Sequence, residues 1–356
     1  MNTSPRPAVV VVRLLLLLVL SAANARALEG ARDHTIVRAV FAEQRLWLLD
    51  AGGSLTTLKP GGKSRLPSAL PNPVLDVCSA AGHLEALMCA NDPCSRWMLV
   101  SVSQGHWVDG PLVSSEGDGL PSLACTPNAT LLVTNRRAVR FAGSKISEHE
   151  LSRSLDPRAQ VLALSPDHVL LGTATGEFIG GLLGLDMRSG LVSLLGDPHA
   201  RDANGTEGCG GLLNPNCVSV AGMAAEPWHP GCAAVAVGST GLVTGGIWEV
   251  CGDEVRQGFV TLASGSDGRR PGVPDRVPLL AVGYAELVRS GNDLWASNAS
   301  GLFRFHGSLT PAFVPFPKTE AIDGLFVSFA VPGLVLVDRV PADGEYFSNP
   351  LLVPTR

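Results

Sequence analysis

Histidine is the side chain whose ordinary pKa lets it exchange a proton near neutrality or offer a nitrogen to a metal. The chain has eight: His34, His83, His106, His149, His168, His199, His229 and His306. None lies in an HExxH motif or with a second histidine at metal-ligand spacing. Two stand beside tryptophan, in His106-Trp107-Val108-Asp109 and in Trp228-His229-Pro230. A ring that hydrogen-bonds beside a ring that stacks suits the lining of a pocket, so His106, Trp107, His229 and Trp228 are the candidate binding residues. Acidic residues in turn-like segments (Asp50, Asp109, Asp186, Asp202, Asp253 and Asp293) could hold calcium or a substrate. No EF-hand run joins them. The charged stretch 267–275 mixes its charges with Gly and Pro, the composition of a solvated connector. There is no GxSxG nucleophile elbow, and Ala263-Ser264-Gly265-Ser266-Asp267-Gly268 has the wrong spacing for one. These patterns assign no catalytic residue, no metal ligand and no cofactor.

Cysteine offers a second chemistry. All eight cysteines (Cys78, Cys89, Cys94, Cys125, Cys209, Cys217, Cys232 and Cys251) follow an N-terminal stretch that reads as a secretory signal. Arg6 and Arg13 are its basic part, Leu14 to Ala23 its apolar part, and Ala25-Arg26-Ala27 a small-x-small cleavage site. The apolar run is too short to span a bilayer. The expectation is a signal peptide over 1–27, a mature chain from Leu28, and a secreted or extracellular location. An even cysteine count in an oxidising compartment implies disulfides, and with no CxxC pair zinc is disfavoured. Connectivity is open in general, but a hairpin formed by the apolar runs Ala233 to Gly238 and Leu242 to Val250 would bring Cys232 and Cys251 together. Asn128-Ala-Thr, Asn204-Gly-Thr and Asn298-Ala-Ser are glycosylation acceptor motifs in turn-like segments. The formal net charge is −5, and loss of three arginines with the signal lowers it to −8, which argues against nucleic acid and anionic membrane surfaces.

The elements that would position these residues are short strands. Asn292 to Gly307 reads as strands Leu294 to Ser297 and Gly301 to Phe305 around a tight turn at Asn298 to Gly301. Such a hairpin is marginal alone and must pack on copies of itself. Weaker versions recur. First runs lie at Ile36–Phe41, Val74–Cys78, Leu120–Cys125, Val161–Leu164, Cys217–Ala221, Leu279–Val282 and Leu325–Ala330. Second runs centre near Leu48, Leu99, Leu132, Leu170, Val235, Trp295 and Val335. Their mean spacing, about 48 residues, suits a four-stranded propeller blade. The individual steps are uneven, and 196–216 looks like a loop insertion. No segment makes a convincing amphipathic helix; Ser147–Leu155 is expected to be a loop or single helical turn before Pro157. Trp47, Trp97, Trp248 and Trp295 fall in the apolar runs and are expected in the core. The fold expected is all-β, a disulfide-stabilised β-propeller of seven blades of short antiparallel strands, one domain over 28–356.

Leu294-Trp-Ala-Ser-Asn-Ala-Ser-Gly-Leu-Phe-Arg-Phe305 resembles the propeller repeat of two-component-regulator sensors, an apolar-Trp-apolar strand, a small polar turn, then Gly-Leu-aromatic-Arg. Leu170-Leu-Gly-Thr-Ala-Thr-Gly-Glu-Phe-Ile179 and Leu131-Leu-Val-Thr-Asn-Arg-Arg-Ala-Val-Arg-Phe141 resemble it more loosely. The resemblance implies a sensing or binding module and supplies no catalytic residues. The function expected is therefore a secreted, non-catalytic interaction propeller that contacts a protein or glycan through loops on one face. The alternative is a propeller hydrolase or lyase with a carboxylate-bound metal at the central channel, so enzymatic activity is left open.

Overall fold

Short strands that alternate in direction can bury both faces only if their sheets stack, and the computed structural model shows seven sheets stacked in a ring. It describes residues 36–58, 66–67, 70–103, 105–155, 159–174, 180–196, 214–238, 244–262, 286–298, 301–315, 322–331, 334–341 and 351–354. The expected signal peptide, Asn204, Asp202, Cys209, the run 279–282 and the loop 267–275 lie outside them.

Blade 1 comprises β1 (Ile36–Ala42), β2 (Arg45–Asp50), β3 (Leu55–Leu58) and β4 (Leu66–Pro67). Blade 2 is β5 (Val74–Ala80), β6 (His83–Cys89), β7 (Arg96–Ser103) and β8 (His106–Ser114); blade 3 is β9 (Ser122–Thr126), β10 (Ala129–Val133), β11 (Arg137–Ala142) and β12 (Lys145–Glu150). Blade 4 holds β13 (Gln160–Ala163), β14 (His168–Ala174), β15 (Gly180–Asp186) and β16 (Leu191–Leu194). Blade 5 holds β17 (Val220–Ala225), β18 (Cys232–Gly238), β19 (Thr244–Cys251) and β20 (Glu254–Leu262). Blade 6 is β21 (Glu286–Ser290), β22 (Asp293–Asn298), β23 (Gly301–His306) and β24 (Pro311–Pro315). Among the described residues a last sheet has three strands, β25 (Ile322–Val331), β26 (Leu334–Pro341) and β27 (Leu351–Pro354). Within each sheet every strand pairs antiparallel with its neighbour in sequence. The first strands meet in order around the ring, and β25 lies against both β21 and β1.

Six blades are therefore complete, not the seven expected, and a three-stranded sheet stands between blades 6 and 1. Pairs of apolar runs identify the inner hairpin of a blade, but the outer strands are too polar to be counted that way. The same blindness produced two further errors. Leu99 lies on β7, a third strand, whereas the second strand of blade 2 is β6, which accounts for the uneven spacing on either side of Leu99. Ser147–Leu155 is not a helical turn: up to Glu150 it is the outer strand β12, exposed along nearly its whole length. Blade 5 begins at Val220, three residues after the expected Cys217.

Inner strands lose the alternating pattern because a neighbouring blade covers each face, so β10 is buried at all five positions. Five described core clusters each fill the wedge between two consecutive blades, from blades 1 and 2 to blades 5 and 6. Phe305, Leu48, Leu87, Leu132 and Leu171 are among the largest fully buried side chains, each contributing roughly 1.5–3 kcal/mol. Trp47, Trp97, Trp248 and Trp295 are all buried, as expected. Blade 5 approaches blade 4 so closely that a Cβ on Gly172 would sit 2.5 Å from Val220 Cγ1. Among the described residues no helix is long and apolar enough to cross a membrane.

The wall of the ring is also tied by polar groups. Buried Asp76 on β5 accepts from Val77 N at 2.8 Å and Leu123 N at 2.6 Å, and faces Arg38 at 3.5 Å. Arg38 in turn donates to Val77 O and Leu123 O, so the first strands of blades 1, 2 and 3 are joined through one acid. Burial raises the Asp76 pKa against the opposing pull of Arg38 and the two backbone donors.

Candidate functional site

Because strands alternate in direction and each complete blade has four, the turn between first and second strands opens on the same face in every blade. That face carries paired charges. Glu43 in the first turn of blade 1 meets His83 of blade 2 at 3.2 Å, and the Glu43 amide donates to Gly82 O. Asp167 in the blade 4 turn pairs with Arg188 and with Arg140 of blade 3. In blade 6, Asp293 binds His306 at 2.7 Å and Arg304 at 2.9 Å. Burial works to raise the pKa of Asp293, but those two partners outweigh it and hold it low.

Blade 5 differs. Its first turn, from Glu226 to Gly231, is closed by Glu226 N donating to Cys232 O and Cys232 N to His229 O. This brings His229 Nδ1 to 3.1 Å from Glu226 Oε2 and 2.6 Å from Glu249 Oε1 on β19. Glu226 is 3% exposed, and its Oε1 is buried without a hydrogen-bond partner. Burial, then repulsion from Glu249, pushes its pKa up to about 7, while the hydrogen bond to Glu249 raises that of His229. Beside them Cys232 and Cys251, opposite one another in the β18–β19 register, are joined by a disulfide. In blade 6 the equivalent register pair is Asp293 and His306, and in blade 4 it is His168 and Asp186.

The sequence candidates are not brought together. Trp228 packs against the core between blades 5 and 6 beside exposed His229. His106 and Trp107 lie on the outer strand of blade 2, where Trp107 meets Trp47 edge-on with centroids 5.6 Å apart. Of the acidic candidates, Asp50 is buried and accepts from Ser54 N, Asp109 is exposed on β8, Asp186 caps Arg188 N, and Asp253 accepts Gly196 N through its backbone. Glu226 and Glu249 were missed. Their signal was an acid three residues before His229 and another two before Cys251, visible only once Cys232 and Cys251 are set opposite each other.

A shallow cleft of about 250 Å³ lies between the first turns of blades 2 and 3. It is lined by His83, Glu85, Pro127, Asn128 and Phe141 among others. Exposed Asn128, an acceptor-motif asparagine, sits at this cleft; Asn298 ends β22. Burial pushes Glu85 up to about 7 against the pull of His83. Two further disulfides, Cys78–Cys125 between blades 2 and 3 and Cys89–Cys94 within blade 2, are present, and Cys217 is disulfide-bonded as well.

No protein-family model matches the sequence, and a search of curated proteins finds no relative. Solved structures match the fold. The extracellular domain of the one component system BT4673 from B. thetaiotaomicron is 10% identical, with a TM-score of 0.53. It covers 91% of this chain, which spans only 38% of that one. YCF48 from Cyanidioschyzon merolae is 13% identical with a TM-score of 0.54, covering 90% of this chain and 95% of its own. YCF48 bound to D1 peptide gives 0.55 at 13% identity, over 91% and 94% of the two chains. At these identities the likeness establishes a β-propeller fold.

Proposed function

We propose that this is a secreted, non-catalytic interaction propeller, processed after Ala27, whose mature 28–356 forms one domain and binds a protein partner through the face of the first turns. One observation carries the reading: polar and charged pairs stand on that face in blades 1, 2, 4, 5 and 6. Such a rim steers and registers a partner more than it binds it tightly. The disulfides fit an oxidising compartment, and two matched structures are in keeping with the reading, one an extracellular domain and one in complex with a peptide. The three-stranded sheet between blades 6 and 1 completes the ring beside the six blades. A glycan is the other ligand class this face could hold. The alternative is a hydrolase or lyase with a carboxylate-bound metal at the channel.

The test uses two charge-reversal variants. Glu43→Lys/Arg188→Glu/His306→Glu alters the first-turn face, and Glu116→Lys/Arg136→Glu alters exposed positions beyond the opposite ends of the strands. A partner isolated from the source culture medium should bind the first variant at least tenfold more weakly and the second with unchanged affinity. Equal affinity for both, or conversion of the partner to a product, would sink the proposal.

A further inference from the structure

Glu226, His229 and Glu249 bring one potential ligand atom each together at the first turn of blade 5. Their nearest oxygen and nitrogen atoms all lie within 4.8 Å of one another. Ligands about 2.0–2.1 Å from a tetrahedral zinc ion stand roughly 3.3 Å apart, close to the 3.1 Å and 2.6 Å now separating the imidazole from the two carboxylates. An imidazolium between two carboxylates would account for those two contacts. It leaves Glu226 Oε1 buried without a hydrogen-bond partner, which is unfavourable for a polar group and more so for a charged one. A metal ion would meet that need, since a carboxylate can offer both oxygens or one oxygen and a charge-compensated second.

We propose that Glu226, His229 and Glu249 form a binding site for one divalent transition-metal ion of the zinc type, set in the first turn of blade 5 rather than in the channel. The imidazole nitrogen selects for zinc-like ions over calcium and magnesium, which take oxygen ligands. Three protein ligands leave a coordination position for water. The neighbouring Cys232 and Cys251 cannot contribute thiolates because they are bonded to each other, but their bridge fixes Glu249 opposite the turn that carries the other two ligands. Zinc would replace the shared imidazole proton, so binding releases a proton from His229.

Isothermal titration of the full chain with zinc chloride under non-reducing conditions reads this directly. The wild type should take up one equivalent and melt at higher temperature with zinc than with a chelator, while calcium chloride changes neither quantity. His229→Ala and Glu249→Gln alter solvent-accessible positions and should each weaken binding at least tenfold. His306→Ala, at the pair in blade 6, should leave it intact. Cobalt(II) in place of zinc should give a visible spectrum of a nitrogen and oxygen site, absent in His229→Ala. Absence of zinc binding in the wild type, an unchanged equivalent in the double variant His229→Ala/Glu249→Gln, or equal binding of calcium would each overturn the site.

Discussion

Two acids of this protein are buried and have raised pKa values, yet they live in opposite surroundings. Asp76 sits on the wall of the ring, where backbone donors from two blades and the Arg38 guanidinium use both of its oxygens. Glu226 sits under a turn, where a shared imidazole serves one oxygen, a second carboxylate crowds the site, and the other oxygen is bare. Burial alone therefore does not separate a strut from a site. The donor inventory does: a satisfied acid holds neighbours together, whereas an acid kept short of donors retains the capacity to bind something.

The sharpest way to break this contrast is to remove the Asp76 charge. In Asp76→Asn the amide nitrogen, a donor, must face either the Val77 or the Leu123 N–H, and Arg38 loses its counter-charge. Denaturant unfolding should show a loss of about 3 kcal/mol. A loss below about 1 kcal/mol would mean that the acid is not a strut. The double change Cys232→Ser/Cys251→Ser should cost about 3 kcal/mol by freeing a loop of 19 residues in the unfolded chain. It should also weaken zinc binding, because Glu249 then loses its covalent restraint; unaltered affinity would separate the bridge from the site.

How far each acid could be foreseen follows from its interactions. The propeller was legible because inner strands such as β10, β14 and β22 are closed on both faces by other blades, leaving continuous apolar runs. The blade count was not, because outer strands such as β12 face solvent and look like loops. Tryptophans in apolar runs were readable as core, and the Cys232–Cys251 pair as a hairpin partner. His229 was singled out for its neighbour Trp228, but its acids were not, since Glu249 meets it through the β18–β19 register across 20 residues of chain. Asp76 was wholly hidden, for its partners come from three blades. Local sequence carries hairpins; it does not carry what the ring brings together.

A smaller effect is expected at the other member of the contrast. Glu226→Gln removes repulsion from Glu249 and supplies an amide donor to a crowded pair of carboxylates. In chelator the variant should match or exceed wild-type stability, by no more than about 1 kcal/mol. Destabilisation as large as that of Asp76→Asn would show that Glu226 is a strut after all.

Glu85 offers the finest discrimination, because it is half-buried beside the cleft of blades 2 and 3 and has only His83 pulling against its desolvation. Its pKa in the fold is about 7, above the ordinary carboxyl value of 4.5, so the folded chain holds a proton that the unfolded chain has released. Between those two values each step up in pH favours the unfolded state, and above the upper one the penalty stays constant. Gln cannot ionise and keeps the same shape. Melting temperatures of Glu85→Gln and wild type should therefore coincide near pH 4.5, and diverge as pH rises toward 7, with the variant the more stable. Half exposure keeps the gap small through solvent screening. Curves that stay parallel across this range would mean that Glu85 is ionised in the fold and that burial at the cleft is shallower than its surroundings imply.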